Sequence, residues 1–567
     1  MVTLDTAAGA ALTGTPWQAY PRPRLRRGSY LNLNGSWSLT VRSPEGQVLA
    51  ETAIRVPFPP ESALSGVGRH FPEGAWLCYA RTFRLPEDFC RGRVLLHIGA
   101  ADQETEIRVN GDTVGPVHLG GYDPMTADVT DRLTAGENRL EIRCRDDLRR
   151  DWIPHGKQRL RRGGMWYTPV SGIWQTVWME SLPEGGIRQL DVTVTDRQAV
   201  LDTGDPAHTG HVTVTAPEGT VTLPLTGGRA VFAPDRPRCW SPEDPYLYRC
   251  TVELPGDRVE SYFALRQVDI RQVDGVARLC LNGKPYFFHG VLDQGYWSDG
   301  LFTPATPECY AQDILAMKAM GFNMLRKHIK VEPEQFYYDC DRLGMAVFQD
   351  MVSGGRYGFV WDTALPTLGL RRLPDRPDNR RSAVREAFRR DMTAAVTRLR
   401  NHPCVCLWTV FNEGWGQSRA GEAYGLLKAL DPTRPVDTAS GWFAVRQTDV
   451  DSRHVYFRRV RLRPGKKPLV LSEFGGISLP VPGHTANPGR TYGYGRCESR
   501  EELTARLEEL YRQQIAPLIP KGLCAAVYTQ LSDVEDEVNG LLTYDRRVTK
   551  PDPARLRAMA RELTGNE

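Results

Sequence analysis

Eight short apolar runs, most of them followed by a stretch of helical periodicity, fill the C-terminal half of this chain and leave it few folds to adopt. The runs are Pro285–Val291, Phe322–Arg326, Ala346–Asp350, Cys404–Glu413, Val436–Ala439, His454–Tyr456, Pro468–Glu473 and Leu523–Gln530. Strands of a parallel sheet are buried on both faces and so read as near-continuous hydrophobic runs rather than alternating ones. Between them, helical spacing of apolar residues predicts helices over Glu308–Met320, Glu332–Leu343, Arg381–Arg400, Ala420–Leu430 and Glu501–Gln514. Eight strands alternating mostly with helices over about 290 residues match the length and order of a (β/α)8 TIM barrel.

The chain is 567 residues long, too long for one core, and its first half has a different texture. From about residue 17 to 182 the runs are short and alternating, as in Glu106–Val109 and Asn138–Cys144, with a turn signal at Asn110-Gly111. No long helical pattern interrupts them, so a β-sandwich of jelly-roll type is expected over residues 1–185. Asp191–Thr195, His211–Thr215 and Tyr248–Glu253 give closely spaced strands in a second, immunoglobulin-like sandwich over residues 186–271. The barrel is expected over residues 272–567.

Two of the barrel runs end in a carboxylate: Trp408-Thr409-Val410-Phe411-Asn412-Glu413 and Leu469-Val470-Leu471-Ser472-Glu473-Phe474. A barrel carries its chemistry where strands reach their C-terminal ends. Glu413 closes the fourth strand and Glu473 the seventh, which lets two carboxyl groups face one another across a pocket. That is the equipment for glycoside hydrolysis, in which one carboxyl protonates the leaving oxygen and the other attacks carbon or activates water. A lone glutamate at a strand end is ordinarily a solvated or salt-bridged residue. The flanks strengthen this pair: Asn412 adds an amide beside Glu413, Trp415 offers an aromatic face to a sugar ring, and Gly475-Gly476 opens the loop after Glu473.

Composition removes other classes. The charged share of 25% and net charge of +4 are ordinary for a globular chain. The Arg-rich stretches at 22–27 and 159–162 are short and lack interleaved aromatics, so no nucleic-acid partner is expected. No run approaches the ~20 apolar residues needed to cross a bilayer, and Met1–Thr15 lacks the layout of a signal peptide. The 12 cysteines are scattered. Cys404-Val405-Cys406 is too tight for usual zinc spacing, so no metal and no cofactor are expected. Reduced thiols and a cytoplasmic location follow. The expected partner is a small-molecule or oligosaccharide substrate, with a homo-oligomer left open.

With these features together, the chain resembles glycoside hydrolase family 2, which includes β-galactosidases, β-glucuronidases and β-mannosidases. Val170-Ser171-Gly172-Ile173-Trp174, Leu281-Asn282-Gly283-Lys284-Pro285 and Cys340-Asp341-Arg342-Leu343-Gly344-Met345 look like its signatures. The resemblance implies that Glu413 is the acid/base and Glu473 the nucleophile of a retaining double displacement. It further implies that Asn412 binds the sugar 2-hydroxyl, that Tyr456 orients Glu473, and that Arg326 keeps it ionised. Asp350, His328, Gln530 and Trp442 complete the expected substrate contacts.

The sugar pocket departs from family patterns. The β-glucuronidase Asn-x-Lys is replaced by Glu537-Val538-Asn539, beside the acidic run Asp533–Glu537. The large β-galactosidases place an aspartate where Gly164 stands and a histidine where Gln294 stands, and their Arg-x-x-His is shortened to Arg326-Lys327-His328. The expectation is an exo-acting hydrolase of a neutral, galacto-configured terminal sugar. A furanosidase, for β-galactofuranosides or α-L-arabinofuranosides, is the alternative. A carbohydrate-binding protein without catalysis is the competitor from another class.

Overall fold

The computed structural model describes residues 4–564 apart from residues 196, 374 and 457. Its first unit is a sandwich. A larger antiparallel sheet is centred on Gly35–Arg42, Trp76–Phe83 and Asn138–Arg145, and a smaller one pairs Arg93–Ile98 with Val177–Leu182. Along Asn138–Arg145 every second residue is buried, the period of two that puts alternate side chains on opposite faces of a strand. Trp37, Tyr79, Leu96, Ile142 and Met179 fill the space between the sheets. A second sandwich sets Gly210–Ala216, Tyr248–Leu254 and Asp257–Phe263 against Asp191–Thr195, Gln198–Asp202 and Arg229–Phe232, around Val212, Val252 and Phe263.

The barrel follows. Its parallel strands are β1 (Phe288–Asp293), β2 (Met324–Lys327), β3 (Ala346–Asp350), β4 (Val405–Asn412), β5 (Val436–Ser440), β6 (Asp451–Val455), β7 (Leu469–Gly475) and β8 (Leu523–Thr529). The hydrogen-bonded order runs from β5 through β4, β3, β2, β1, β8 and β7 to β6, and β5 and β6 lie side by side. Helices α1 (Glu308–Ala319), α2 (Glu334–Leu343), α3 (Ser382–Leu399), α4 (Ala420–Leu430) and α5 (Arg500–Leu510) stand where the periodicity predicts them, within a few residues at each end. All eight residues of β4 are buried, as a strand covered on both faces requires. No helix among the described residues is long and apolar enough to cross a membrane.

Two loops reach the barrel mouth. Residues 154–168 of the first sandwich lie against the segment after β3, where the backbone amides of His155 and Gly156 both donate to the Ser353 carbonyl, at 3.1 and 3.0 Å. Gly156 is in left-handed backbone (φ +65°), and a Cβ there would stand 2.9 Å from the Ile329 carbonyl oxygen. Only glycine allows the two backbones to approach this closely. The second loop, residues 351–381, exposes Phe359, Val360 and Leu368 to solvent.

Candidate active site

Arg326, the third residue of β2, organises the floor of the barrel mouth. It is 1% exposed, and each arm of its fork is used. Nε donates to Asp350 Oδ1 (3.0 Å), Nη1 to Glu473 Oε1 (2.9 Å) and to the Ser472 carbonyl (3.0 Å), and Nη2 to Asn412 Oδ1 (2.9 Å). One guanidinium thereby ties together the ends of β2, β3, β4 and β7. A buried cation is tolerated only when paired and hydrogen-bonded. Asp350 and Glu473 supply that pairing.

Glu473 and Glu413 approach across this floor with His454 between them. Nδ1 of His454 lies 2.8 Å from Glu413 Oε1 and 3.5 Å from Glu473 Oε2. One oxygen from each glutamate and the imidazole nitrogen all fall within 4.8 Å of one another. The Tyr456 hydroxyl donates to Glu473 Oε2, and it also meets Thr529 Oγ1 at 3.0 Å. Burial pushes the Glu473 carboxyl up, but the neighbouring His454, Arg326 and His328 and the Tyr456 hydroxyl outweigh it and hold the group at about 2. Glu473 is therefore a carboxylate at any working pH.

Glu413 follows the last residue of β4 in left-handed backbone (φ +52°), which is uncommon for a residue with a side chain and costs on the order of 1 kcal/mol or more. Its amide is fixed by a bond to the Ser440 carbonyl (2.9 Å). Gly414 behind it is also left-handed (φ +71°), and a Cβ there would sit 2.4 Å from the Phe443 ring. The turn swings the Glu413 side chain back over the barrel mouth.

The residues singled out in the sequence are brought together here in different capacities. Tyr456 and Arg326 meet Glu473, and Asn412, expected on a sugar 2-hydroxyl, is held by Arg326. Asp350 is corrected from a sugar contact to a support: both its oxygens are engaged, by Arg326 and by His328 Nδ1 (2.7 Å), and it is 1% exposed. His328 is held the same way, 4.0 Å from Glu473. Trp415 is likewise corrected. It is 3% exposed, donates to the Gly355 carbonyl (3.1 Å) and packs edge-on against Trp166 with centroids 5.2 Å apart. Trp442 is half-buried, with its indole N–H on the His454 carbonyl (3.3 Å).

Beyond Glu473 lies a wall of polar groups with spare bonding capacity. Gln530 accepts from Gln294 (2.9 Å), which leaves Gln530 Nε2 and Gln294 Oε1 buried without a partner among the described residues. Asn539 donates to Glu537 (2.9 Å) and its Oδ1 is likewise unpaired. Such groups cost free energy unless something bonds to them. Tyr167, from the sandwich loop, donates to Glu537 at 2.5 Å. Burial holds the Glu537 carboxyl above its ordinary range despite this bond and the nearby Lys157 ammonium.

The acidic run is not the negative face its sequence suggests. Lys550 pairs with Asp533 (2.5 Å), Arg162 with Glu535 (3.0 Å), and Arg490 stands 3.4 Å from Asp536. Of these four carboxylates, only Glu537 has no basic group within 4.0 Å among the described residues. His454 is the principal residue missed in the sequence. The signal was its place two residues before Tyr456, a spacing that turns both side chains to one side of extended chain.

Glu413, His454 and Glu473 are compact enough to suggest a cation site. The fixed charge of Arg326 already neutralises Glu473, and a metal would have to compete with it. The arrangement suits proton and carbon chemistry better.

A parallel eight-stranded barrel with two buried carboxylates at the ends of its fourth and seventh strands has the build of a glycoside hydrolase. The sequence model described as glycosyl hydrolases family 2, TIM barrel domain, matches residues 272–491, and that described as glycosyl hydrolases family 2 matches residues 181–266. The two matches cover more than half of the chain, which belongs to glycoside hydrolase family 2. A β-galactosidase of Aeromonas hydrophila subsp. hydrophila is 29% identical over 462 residues, covering 74% of this chain and 41% of that protein. One from Klebsiella pneumoniae is 29% identical over 418 residues, covering 65% and 37%. The chain thus spans about two fifths of the length of these curated relatives. Among solved structures, a β-D-glucuronidase of Dictyoglomus thermophilum superposes with a TM-score of 0.74 at 17% identity, covering 95% of this chain and 98% of that one. A β-galacturonidase of Eisenbergiella tayi bound to galacturonate gives 0.67 at 18%, covering 94% and 97%. At these identities the likeness is one of fold.

Proposed function

We propose that the protein is a retaining exo-glycosidase that removes a neutral terminal sugar, with a galactoside as the first candidate. The observation that carries this reading is the spacing of Glu413 and Glu473, whose nearest oxygens lie within 4.8 Å. Retaining enzymes hold their carboxyl groups ~5–5.5 Å apart, whereas inverting enzymes need ~6.5–9.5 Å to admit a water. An Oε of Glu473 attacks the anomeric carbon while Glu413 delivers its proton to the glycosidic oxygen. The C–O bond breaks, and a glycosyl ester on Glu473 remains. Water, deprotonated by Glu413, then attacks the same carbon and frees Glu473. Asn412, fixed by Arg326, is placed for the sugar 2-hydroxyl.

A neutral glycone is supported by the wall beyond Glu473. Gln294, Gln530 and Asn539 offer unpaired amide groups suited to hydroxyls, and a site with such groups rejects analogues that leave them unsatisfied. A uronate carboxylate would meet Glu537 there, with Lys157 as the nearby cation. The β-galactosidase names of the relatives add weight to a galactoside. A panel of nitrophenyl glycosides, with galactopyranoside, galactofuranoside, arabinofuranoside and glucuronide, tests the reading. Turnover of a neutral glycoside with retention, seen as the first-formed anomer by proton NMR, supports it. Efficient glucuronide hydrolysis or an inverted product overturns it.

A further inference from the structure

A cleft of about 850 Å³ opens from the catalytic floor on the side of β5 and β6. Trp442, His454 and Tyr456 form its inner end, and His454 touches Glu413 at 2.8 Å. Glu413 is the group that hands its proton to the leaving oxygen, so the departing part of the substrate must lie on its side of the floor. The unpaired amide wall of Gln294, Gln530 and Asn539 belongs instead to β1, β8 and the loop beyond β8, on the far side of Glu473. The cleft is therefore the leaving-group side.

Its outer end is strongly basic. Arg371, Arg453, Arg458, Arg459 and Arg461 line it, and no carboxylate among the described residues does. The chain just after Tyr456 supplies most of this charge: Arg458-Arg459-Val460-Arg461-Leu462-Arg463-Pro464-Gly465-Lys466-Lys467 holds four arginines and two lysines and no acid. Arg453 is paired with Asp451 (2.8 Å), and Arg371 donates to the Trp442 carbonyl (3.1 Å). Arg458, Arg459 and Arg461 are exposed, and none has a carboxylate within 4.0 Å among the described residues. Burial lowers the pKa of Arg371, against the opposing pull of Asp451 and with the like charge of Arg458 adding to it. Asp451 offsets Arg453 and Arg371, whereas Arg458, Arg459 and Arg461 repel each other without a carboxylate partner, in a chain that carries only +4. Concentrating so much of the charge at one end of one cleft calls for an anion there.

We infer that this cleft receives a leaving group bearing anionic substituents, so that the substrate is a neutral terminal sugar attached to an acidic saccharide. Planar guanidinium forks match carboxylates and sulfates two bonds at a time, and Trp442 offers an aromatic face to the sugar that carries them. The inference rests on the glycosidase reading above and deepens it. Nucleic acid would also be drawn to arginines, but the cleft leads to a glycosidic catalytic floor and has one tryptophan, not the series of aromatic platforms that bases stack on.

Titration calorimetry on the full-length E473Q protein, which cannot turn over substrate, tests this. The probes are galactosyl-galacturonate, a galactose disaccharide sulfated only on its reducing sugar, the uncharged galactose disaccharide and a short single-stranded oligonucleotide. Binding of an acidic disaccharide at least tenfold tighter than the neutral one is expected, weakening as salt rises. The two acidic probes distinguish carboxylate from sulfate. R458Q, R459Q and R461Q combined should reduce that preference about tenfold. Should the triple variant fold poorly, the salt dependence of E473Q alone decides. Equal affinity for acidic and neutral disaccharides, no effect of salt, or tighter binding of the oligonucleotide than of either acidic disaccharide overturns the inference. Failure of the inference is separable from failure of the function. If the wild-type protein hydrolyses a neutral aryl glycoside but no acidic disaccharide binds, only the inference falls. If it hydrolyses no glycoside, the functional reading falls.

Discussion

Nδ1 of His454 stands 2.8 Å from Oε1 of Glu413, while Nε2 of the same ring lies 3.3 Å from Nη1 of Arg326. A carboxylate can only accept, so against an ionised Glu413 it is Nδ1 that carries the hydrogen, which points at Glu413. The imidazole thus passes the order imposed by Arg326 across the floor to the other glutamate. Replacing His454 by Phe removes that bond and keeps the ring. A fall in kcat/KM of about 10²-fold or more is expected for substrates with poor leaving groups, in the range attributed to a positioned proton donor. Aryl glycosides of graded phenol acidity read this directly: equal losses across the series would separate His454 from the work of Glu413.

The two glutamates should fail differently. E473A should abolish turnover, and added azide or formate should restore it with inverted product, because the small anion takes the nucleophile's place. E413A should spare substrates with acidic leaving groups far more than those that need a proton. Identical losses for both variants on both substrate types would remove the assignment of roles.

The low pKa of Glu473 makes a statement about stability. Its carboxyl is held at about 2 in the fold against an ordinary 4.5. The folded state therefore gains from the ionised form at any pH above 4.5, and loses that gain as pH falls from there through about 2. The loss is on the order of 3 kcal/mol. Thermal unfolding of the wild type should shift more steeply than that of E473Q over this window. Parallel curves would show that Glu473 is not ionised by its surroundings as described.

Asp350 carries a structural load separate from any contact with sugar. D350A leaves Arg326 buried with one fewer counter-charge and frees His328. Removing one partner of a buried pair costs about 3–5 kcal/mol, visible as a lower melting temperature. D350N keeps the shape and should recover much of the stability. Its kcat should still fall with KM less affected, since the clamp on Glu473 and Asn412 is loosened. A melting temperature unchanged in D350A would contradict the pairing.

The barrel was legible because two periodicities compete cleanly along it. Runs such as Val405–Asn412 are apolar at all but two positions, while Ser382–Leu399 is apolar on one helical stripe, and the bounds came within a few residues. Glu413 and Glu473 were legible because each interrupts such a run at its end. What stayed hidden depends on contacts distant in sequence. Asp533 looks like part of an acidic patch until Lys550 is seen at 2.5 Å, and Glu535 until Arg162 arrives from the sandwich. Trp415 reads as a free aromatic face, but Trp166, roughly half the chain away, covers it. The strip from Arg458 to Lys467 went unremarked beside the Arg-rich stretches at 22–27 and 159–162, because only the cleft ties it to the catalytic floor.

The loop at 154–168 bears on how the proposed active site is assembled. Tyr167 bonds Glu537, the Thr168 amide bonds Glu535, and His155 and Gly156 lean on Ser353. The wall proposed to meet the sugar is thus made partly of chain that is synthesised long before the barrel it adjoins. The barrel cannot finish this wall by folding alone. During refolding, barrel secondary structure should return before glycosidase activity does, with the lag set by docking of the sandwich, and a barrel expressed from residue 272 onward would carry both glutamates and still lack part of its sugar pocket.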